Sequence, residues 1–399
     1  MARLREGLLG SGDTSRLALT ASDTSRPLGS LEHLFWLLDQ HRSVHFAVTA
    51  EIAGKASPDD WRDALDRVQA RHPILSVRIE GSPASVPRFR REDAAPIPLR
   101  IVEGDPKTRW EREVGEELAT PFDPSQAPLI RAVLIDGSRD TGLILAAHHS
   151  VADGLSLAYA IRDTLAALSG EPLEPLPLAR AQEQMLGVGA GPAGPAGPPA
   201  RFRPLDDARP SVEGLRLTPA LTTILADCAR QEGTTVHGAL CAAVAIAGRQ
   251  VSADWQDGTV RIMSPINLRP LLDAGESCGL FVSATTGAFD GRATGFWELA
   301  RQAKAATALG RTRDSVVALL SAVGGVVGKG ADIASVAAFA AGAFAHEAML
   351  TNLGVLNFGS RFGALKLERI NFVCTLTPIA RHRELSFGGR GQLKPRAQV

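Results

Sequence analysis

With 399 residues, 45% of them hydrophobic and 22% charged, the chain holds enough material for two ordinary domains or one large one, which excludes a small stapled scaffold. Lys and Arg (43) balance Asp and Glu (43), so the cationic field that draws a protein to nucleic acid or anionic lipid is absent. The four cysteines, Cys228, Cys241, Cys278 and Cys374, lack CxxC spacing and the density of a disulfide framework, which fits a reducing cytoplasm.

In chain order, Met1 to Leu19 is cut by Arg3, Arg5, Glu6, Asp13 and Arg16, so no signal-peptide core is expected, and residues 1–25 read as a flexible tail. His45 to Ile52 predicts a strand. Ser57-Pro58 then starts a helix whose stripe, Trp61, Leu65 and Val68, stops at His72-Pro73. Ile74 to Ile79, Leu129 to Ile135 and Leu143 to Ala147 have strand length, and Gly154 to Leu168 has helical spacing at Leu157, Ile161, Leu165 and Leu168. From Gly170 to Pro204 there are eight prolines and six glycines, which reads as a linker over 171–204. It divides an N-terminal lobe, 26–170, from a C-terminal lobe, 205–399. The second half predicts helices over Thr235 to Ala247 and Trp297 to Ala308, and strands over Val260 to Met263 and Ile370 to Leu376. Its longest apolar tract, Val316 to Ala345, carries Lys329, Asp332 and the glycines at 324, 325, 328 and 330, so it reads as helix broken by a glycine turn, with no membrane span. Alternating strands and helices give an α/β class with a mixed sheet in each half.

Chemistry concentrates in Leu143 to Gly154, LILAAHHSVADG, where an apolar strand runs into two histidines and an Asp-Gly before a helix. Strand alternation sends neighbouring side chains to opposite faces, so one of His148 and His149 should anchor in the core while the other looks into a cleft. Asp153 sits at the turn, where it can orient a ring or hold the loop, and Gly154 permits a tight entry into the helix. Adjacent histidines lack zinc-site spacing, and no GxSxG elbow, P-loop or GxGxxG motif is present, so no metal is expected and the histidine would serve as a general base.

HHSVADG resembles the HHxxxDG signature of nonribosomal-peptide condensation domains and related acyltransferases of the chloramphenicol acetyltransferase-like superfamily. SPINLRP (264–270), CGLFVSATT (278–286), TNLG (351–354) and the opening RPLGSLEHLFW (26–36) resemble further motifs of these enzymes, so the likeness spans nearly the whole chain. The chain looks most like the stand-alone acyltransferases of the phthiocerol dimycocerosyl transferase type. Plant-type members end in DFGWG, whereas Asn357-Phe358-Gly359 here has lost the Asp and the Trp. The resemblance implies two α/β lobes in a V with a tunnel at their junction. It implies His149 as general base, Asp153 as structural and paired with Arg269 from the second lobe, His148 as a buttress, Gly154 N–H near the developing oxyanion, and Asn352 in the tunnel wall. No cofactor would be bound. Acyl-CoA or a phosphopantetheine-linked acyl carrier would be the cosubstrate, with a small hydroxyl acceptor as partner and an acyl carrier protein or polyketide synthase acting in trans; nucleic acid is not expected.

Competing functions are amide formation by a free-standing condensation enzyme and an inactive binding or scaffold member of the superfamily. Arg311 and Arg313 are candidates for the donor mouth. His33, His41, His45 and His72 read as solvated or capping, His237 as a core histidine, and the cysteines, Phe281 and Trp36 as core.

Overall fold

The computed structural model describes residues 25–41, 43–81, 86–91, 94–189, 211–251, 255–256, 258–292, 294–328, 330, 332–374 and 385–387. The N-terminal half carries β1 (Ser25–Pro27), α1 (Ser30–His41), β2 (Phe46–Ala53), α2 (Pro58–Arg71), β3 (Val77–Glu80), β4 (Arg88–Arg91), β5 (Leu99–Glu103), α3 (Pro106–Ala119), β6 (Ile130–Asp136), β7 (Asp140–Ala147) and α4 (Gly154–Leu168). After the short α5 (Gln182–Leu186), the second half adds α6 (Pro219–Gln231), α7 (Val236–Val251), β8 (Val260–Asn267), the single turn α8 (Arg269–Leu272), β9 (Val282–Phe289) and α9 (Phe296–Gly310). There follow α10 (Arg313–Val327), α11 (Ile333–Ala343), β10 (Ala348–Asn352), β11 (Arg361–Phe362), β12 (Leu365–Cys374) and β13 (Leu385–Phe387).

Local chemistry sets the helix starts. Ser57 and Asp60 form the capping box that opens α2, with Pro58 at its first position. Asp153 caps α4, Thr312 caps α10 and Asp332 caps α11 through side-chain oxygens. The apolar tract 316–345 is two helices broken between 327 and 333. Residues 73–76 form a 3-10 turn before β3, because Pro73 favours a helical φ and removes a ladder donor where a strand was expected.

The architecture is two-lobed α/β. The N-terminal lobe holds a six-stranded sheet in the order β11-β12-β2-β7-β6-β5 and a small sheet β1-β4-β3; the C-terminal lobe holds β13-β10-β8-β9. The chain does not divide cleanly at residue 205. β12 leaves the C-terminal half and pairs antiparallel with β2 from Lys366↔Ala53 to Cys374↔Phe46, because that edge of β2 offers an open ladder of backbone donors and acceptors. One apolar core accordingly runs through both halves, from Phe46, Trp61 and Leu145 to Phe281, Leu320 and Phe372.

The Pro-rich segment 171–204 is only partly a free connector. Leu178, Ala179, Ala181, Gln182 and Glu183 are buried. Arg26 Nε donates to the Ala179 carbonyl (2.5 Å), Ser30 N to Glu183 (2.8 Å), and Gln182 Nε2 to the carbonyls of Leu280 (2.9 Å) and Val282 (3.0 Å). These polar groups would be costly to bury without such partners, so they fasten the segment across both lobes. Residues 1–24 and 190–204 lie outside the described residues. No helix among the described residues is long and apolar enough to cross a membrane.

Because β12 stitches the halves together, they should unfold as one unit. Ile370→Ala, at a buried β12 position opposite Ala50, should lower stability by about 2–5 kcal/mol and keep a single calorimetric transition. Two separated transitions in the wild-type chain would contradict this coupling.

Candidate active site

β7 ends at Ala147, and both motif histidines occupy the turn that follows, so they diverge through turn geometry and not through strand alternation. His148 is fully buried. Its Nδ1 accepts from Ser150 N (3.1 Å), which leaves the proton on Nε2, 3.5 Å from Asp39 Oδ2. Asp39 also accepts from Val44 N (2.9 Å) and lies 3.9 Å from His45 Nδ1. Burial pushes its carboxyl up, but His148, His45 and the Val44 amide together hold it well below the usual carboxylate range.

His149 faces a cavity of about 160 Å³ that opens to solvent. Its ring stacks on Phe35 (centroids 4.3 Å apart, 15° between planes) and lies 4.7 Å from Phe46. Nδ1 donates to the Ala152 carbonyl at 3.0 Å. That bond leaves Nε2 with the lone pair. Burial lowers the pKa of His149 to about 4, against the pull of the Ala152 carbonyl and Asp153, so the ring is neutral at neutral pH.

Asp153 points away from His149 and into a bridge between the lobes. Its Oδ1 accepts from Ser156 N (2.8 Å) and from Arg269 Nη2 (3.2 Å), and its Oδ2 accepts from Phe281 N (2.9 Å). Burial raises the carboxyl, and the Arg269 guanidinium with the two amides more than offsets it, so Asp153 is held ionised below its ordinary range. Arg269 also donates to Ser156 Oγ (2.8 Å) and to the carbonyls of Gly275 (3.0 Å) and Ser277 (2.8 Å), with Phe281 under its guanidinium. Gly154, the first residue of α4, must be glycine for space: a Cβ there would stand 2.7 Å from Phe372 and 2.9 Å from Leu353. Asn352, at the end of β10, lines the cavity and accepts from Gly354 N at 2.8 Å.

The six residues read from sequence therefore fall into three places: His149, Asp153, Gly154 and Asn352 on the cavity, Arg269 behind Asp153, and His148 beneath the turn. Sequence reading missed Asp39 and Phe35. They stand four apart on α1, so one helical face holds both motif histidines; that i, i+4 spacing was the available signal. His33, His45 and His72 are buried and not solvated, because each finds apolar walls or a specific partner; His72 does cap α2, its backbone N–H donating to the Val68 carbonyl, while its Nε2 lies 2.9 Å from Asp163. His237 bonds Ser264 Oγ at 2.8 Å. Cys241 and Cys278 are buried, while Cys374 is half-exposed on the cavity. Arg311 and Arg313 are exposed where α9 passes to α10, with Arg313 bonded to the Leu186 carbonyl.

Two family profiles match in tandem. Residues 34–182 match the condensation domain, and residues 206–386 match the phthiocerol/phthiodiolone dimycocerosyl transferase C-terminus. Each match covers less than half of the chain, and together they place a condensation-like half before a PapA-like half. Among solved structures, the chain resembles the first condensation domain of the CDA synthetase, with a TM-score of 0.64, 16% identity and coverage of 89% of this chain and 85% of that one. It also resembles polyketide synthase associated protein 5 from Mycobacterium tuberculosis, at a TM-score of 0.58, 19% identity and coverage of 90% and 88%. At these identities the likeness establishes the two-lobed fold. Curated relatives include the phosphinothricin tripeptide synthetase PhsC of Streptomyces viridochromogenes, 30% identical over 246 residues, or 52% of this chain and 23% of the relative. Tyrocidine synthase 3 of Brevibacillus parabrevis is 27% identical over 160 residues, 38% of this chain and 2% of the relative. The chain thus spans less than a quarter of the length of each.

Two outcomes follow. Asp153→Ala would leave the Arg269 guanidinium buried without its carboxylate, so thermal or denaturant unfolding should show a loss of about 3–5 kcal/mol. His33, His149 and His237 each have their pKa lowered by burial from 6.5 to about 4. The unfolded chain therefore binds more protons between those values, and the melting temperature should fall steadily as pH drops from about 6.5 to about 4. A level melting temperature across that window would contradict their neutral burial.

Proposed function

We propose that the chain moves an acyl group from a thioester, carried on CoA or on the phosphopantetheine of an acyl carrier protein, to the hydroxyl of a small acceptor, forming an ester in secondary or lipid metabolism. The observation that carries this reading is His149, whose Nδ1 is tied to the Ala152 carbonyl and whose Nε2 is left for a substrate in the cavity. Nε2 takes the acceptor's proton as its oxygen attacks the thioester carbonyl carbon. The new C–O bond forms, the carbonyl oxygen becomes an oxyanion near the Gly154 N–H at the N-terminus of α4, and collapse breaks the C–S bond. The proton on His149 then returns to the leaving thiolate. No covalent intermediate on the protein is required.

In this scheme Asp153 and Arg269 hold the turn, His148 buttresses it, and Asn352 contributes to the wall. The donor mouth lies at Arg311 and Arg313, a reading supported by their exposure beside the start of α10, whose Leu319 lines the cavity. The reaction belongs in the cytoplasm, where such thioesters are made. Amide formation from an amine acceptor is the second reading, favoured by a relative named as a tripeptide synthetase. It would use the same base. A purely binding role is disfavoured by the intact HHSVADG and NLRP segments.

The deciding experiment supplies acyl thioesters with an alcohol and an amine of the same skeleton in competition, and reads products by mass spectrometry; ester in excess is expected. His149→Ala should lose about 10²- to 10⁴-fold in kcat/KM with its melting curve intact. Activity should stay level below the usual imidazole range and decline only as pH nears about 4, since protonating His149 removes its lone pair. Near-wild-type turnover by folded His149→Ala would end this mechanism.

A further inference from the structure

The wall of the cavity is chemically lopsided. From α1 come Leu31, Leu34, Phe35 and Leu38, at i, i+3, i+4 and i+7, a single apolar stripe that begins at the imidazole because Phe35 stacks on His149. Facing this stripe are Leu319 of α10 and Ala340 and Phe344 at α11, two helices that both pack on α1. Ser315 to Gly328 and Ile333 to Ala345 contain no charged residue. Among the described residues, the only charged side chain in the lining is Asp153, already neutralised by Arg269 and two backbone amides. Apart from His149 and Asp153, the hydrogen-bonding groups of the lining, Asn267, Ser283, Thr351 and Asn352, sit on or beside the C-terminal sheet, where Met263 and Met349 lie among them.

From this asymmetry we infer that the cleft between α1 and the α10–α11 pair receives an uncharged alkyl acyl chain, with Ala340 and Phe344 setting the longest chain accepted. The inference rests on the acyl-transfer reading of His149 and adds the class of acyl group. An aminoacyl donor would bring an ammonium into a wall that holds no free carboxylate, and a dicarboxylic half-ester would bring a carboxylate to a wall without Lys or Arg; each would lose its hydration without a partner. An alkyl chain loses nothing there and gains about fourfold in affinity for each methylene buried.

Binding is the test, because it needs neither the acceptor nor turnover. Ethyl, octyl, hexadecyl and ω-aminooctyl thioethers of pantetheine, which cannot transfer an acyl group, are titrated calorimetrically into the full chain. Affinity should rise from ethyl to octyl, and the ω-ammonium should cost at least about tenfold relative to octyl. Ala340→Phe should weaken hexadecyl binding about tenfold or more and leave the ethyl probe unchanged, while Phe344→Ala and Leu319→Ala, which remove bulk and serve if Ala340→Phe folds poorly, should shift the optimum to longer chains. A length profile that is flat, or that none of the three variants moves, overturns the inference. So does a shift confined to the preference among alcohol acceptors. His149→Ala should keep the wild-type length profile, so a failed acyl-transfer reading and a failed chain cleft give different results.

Discussion

The Asp153 carboxylate is the point on which the rest of the molecule depends. One oxygen caps α4 through Ser156 N and meets Arg269, and the other receives Phe281 N from the opposite lobe. A buried carboxylate is tolerated only when its lone pairs are filled, and here the partners come from two halves of the chain. The contact therefore closes the turn after β7 and the lobe junction in one step. Ser156 Oγ extends it, accepting from both Arg269 Nη2 and Gly279 N. Arg162 with Glu276, and His72 Nδ1 accepting from Cys278 N at 3.3 Å, continue the same seam.

Once that seam is closed, the position of His149 is overdetermined. α1 sets Phe35 against one face of the ring, β2 sets Phe46 near it, and the Ala152 carbonyl fixes the tautomer. Beneath the turn, Asp39 and His148 hold the backbone from the core side. Rigid support of this kind keeps an imidazole oriented without a carboxylate partner of its own. β12 completes the enclosure, since Phe372 packs where Gly154 leaves room for no side chain.

The two halves match condensation and PapA C-terminal profiles, and the curated relatives that the chain matches are much longer than it is. Fold alone does not choose the acyl group or the nucleophile, because those are read by the side chains that line a cavity. In this chain the lining divides by element: wholly aliphatic and aromatic on α1, α10 and α11, mixed polar and apolar on the C-terminal strands.

The strands before the motif, the helix after it and the glycine break in 316–345 were legible in the residues, because hydrophobic period, caps and breakers act over a few positions and leave their mark locally. HHSVADG and NLRP were legible for the same reason, and they marked His149, Asp153 and Arg269 before any coordinates. The course of β12 was not legible, since an edge strand chooses its sheet by long-range pairing that leaves no mark within its own ten residues. Nor was the burial of residues 178–183, where backbone and side-chain polar groups find partners 98 to 153 positions away in sequence. By itself the sequence determined the class of fold and singled out the HHSVADG turn. Only the tertiary structure decided which way His148 and His149 face, that Asp39 and Phe35 serve them, and that the cavity carries no free charge among the described residues, because burial and pairing are properties of neighbours that the chain brings together only on folding.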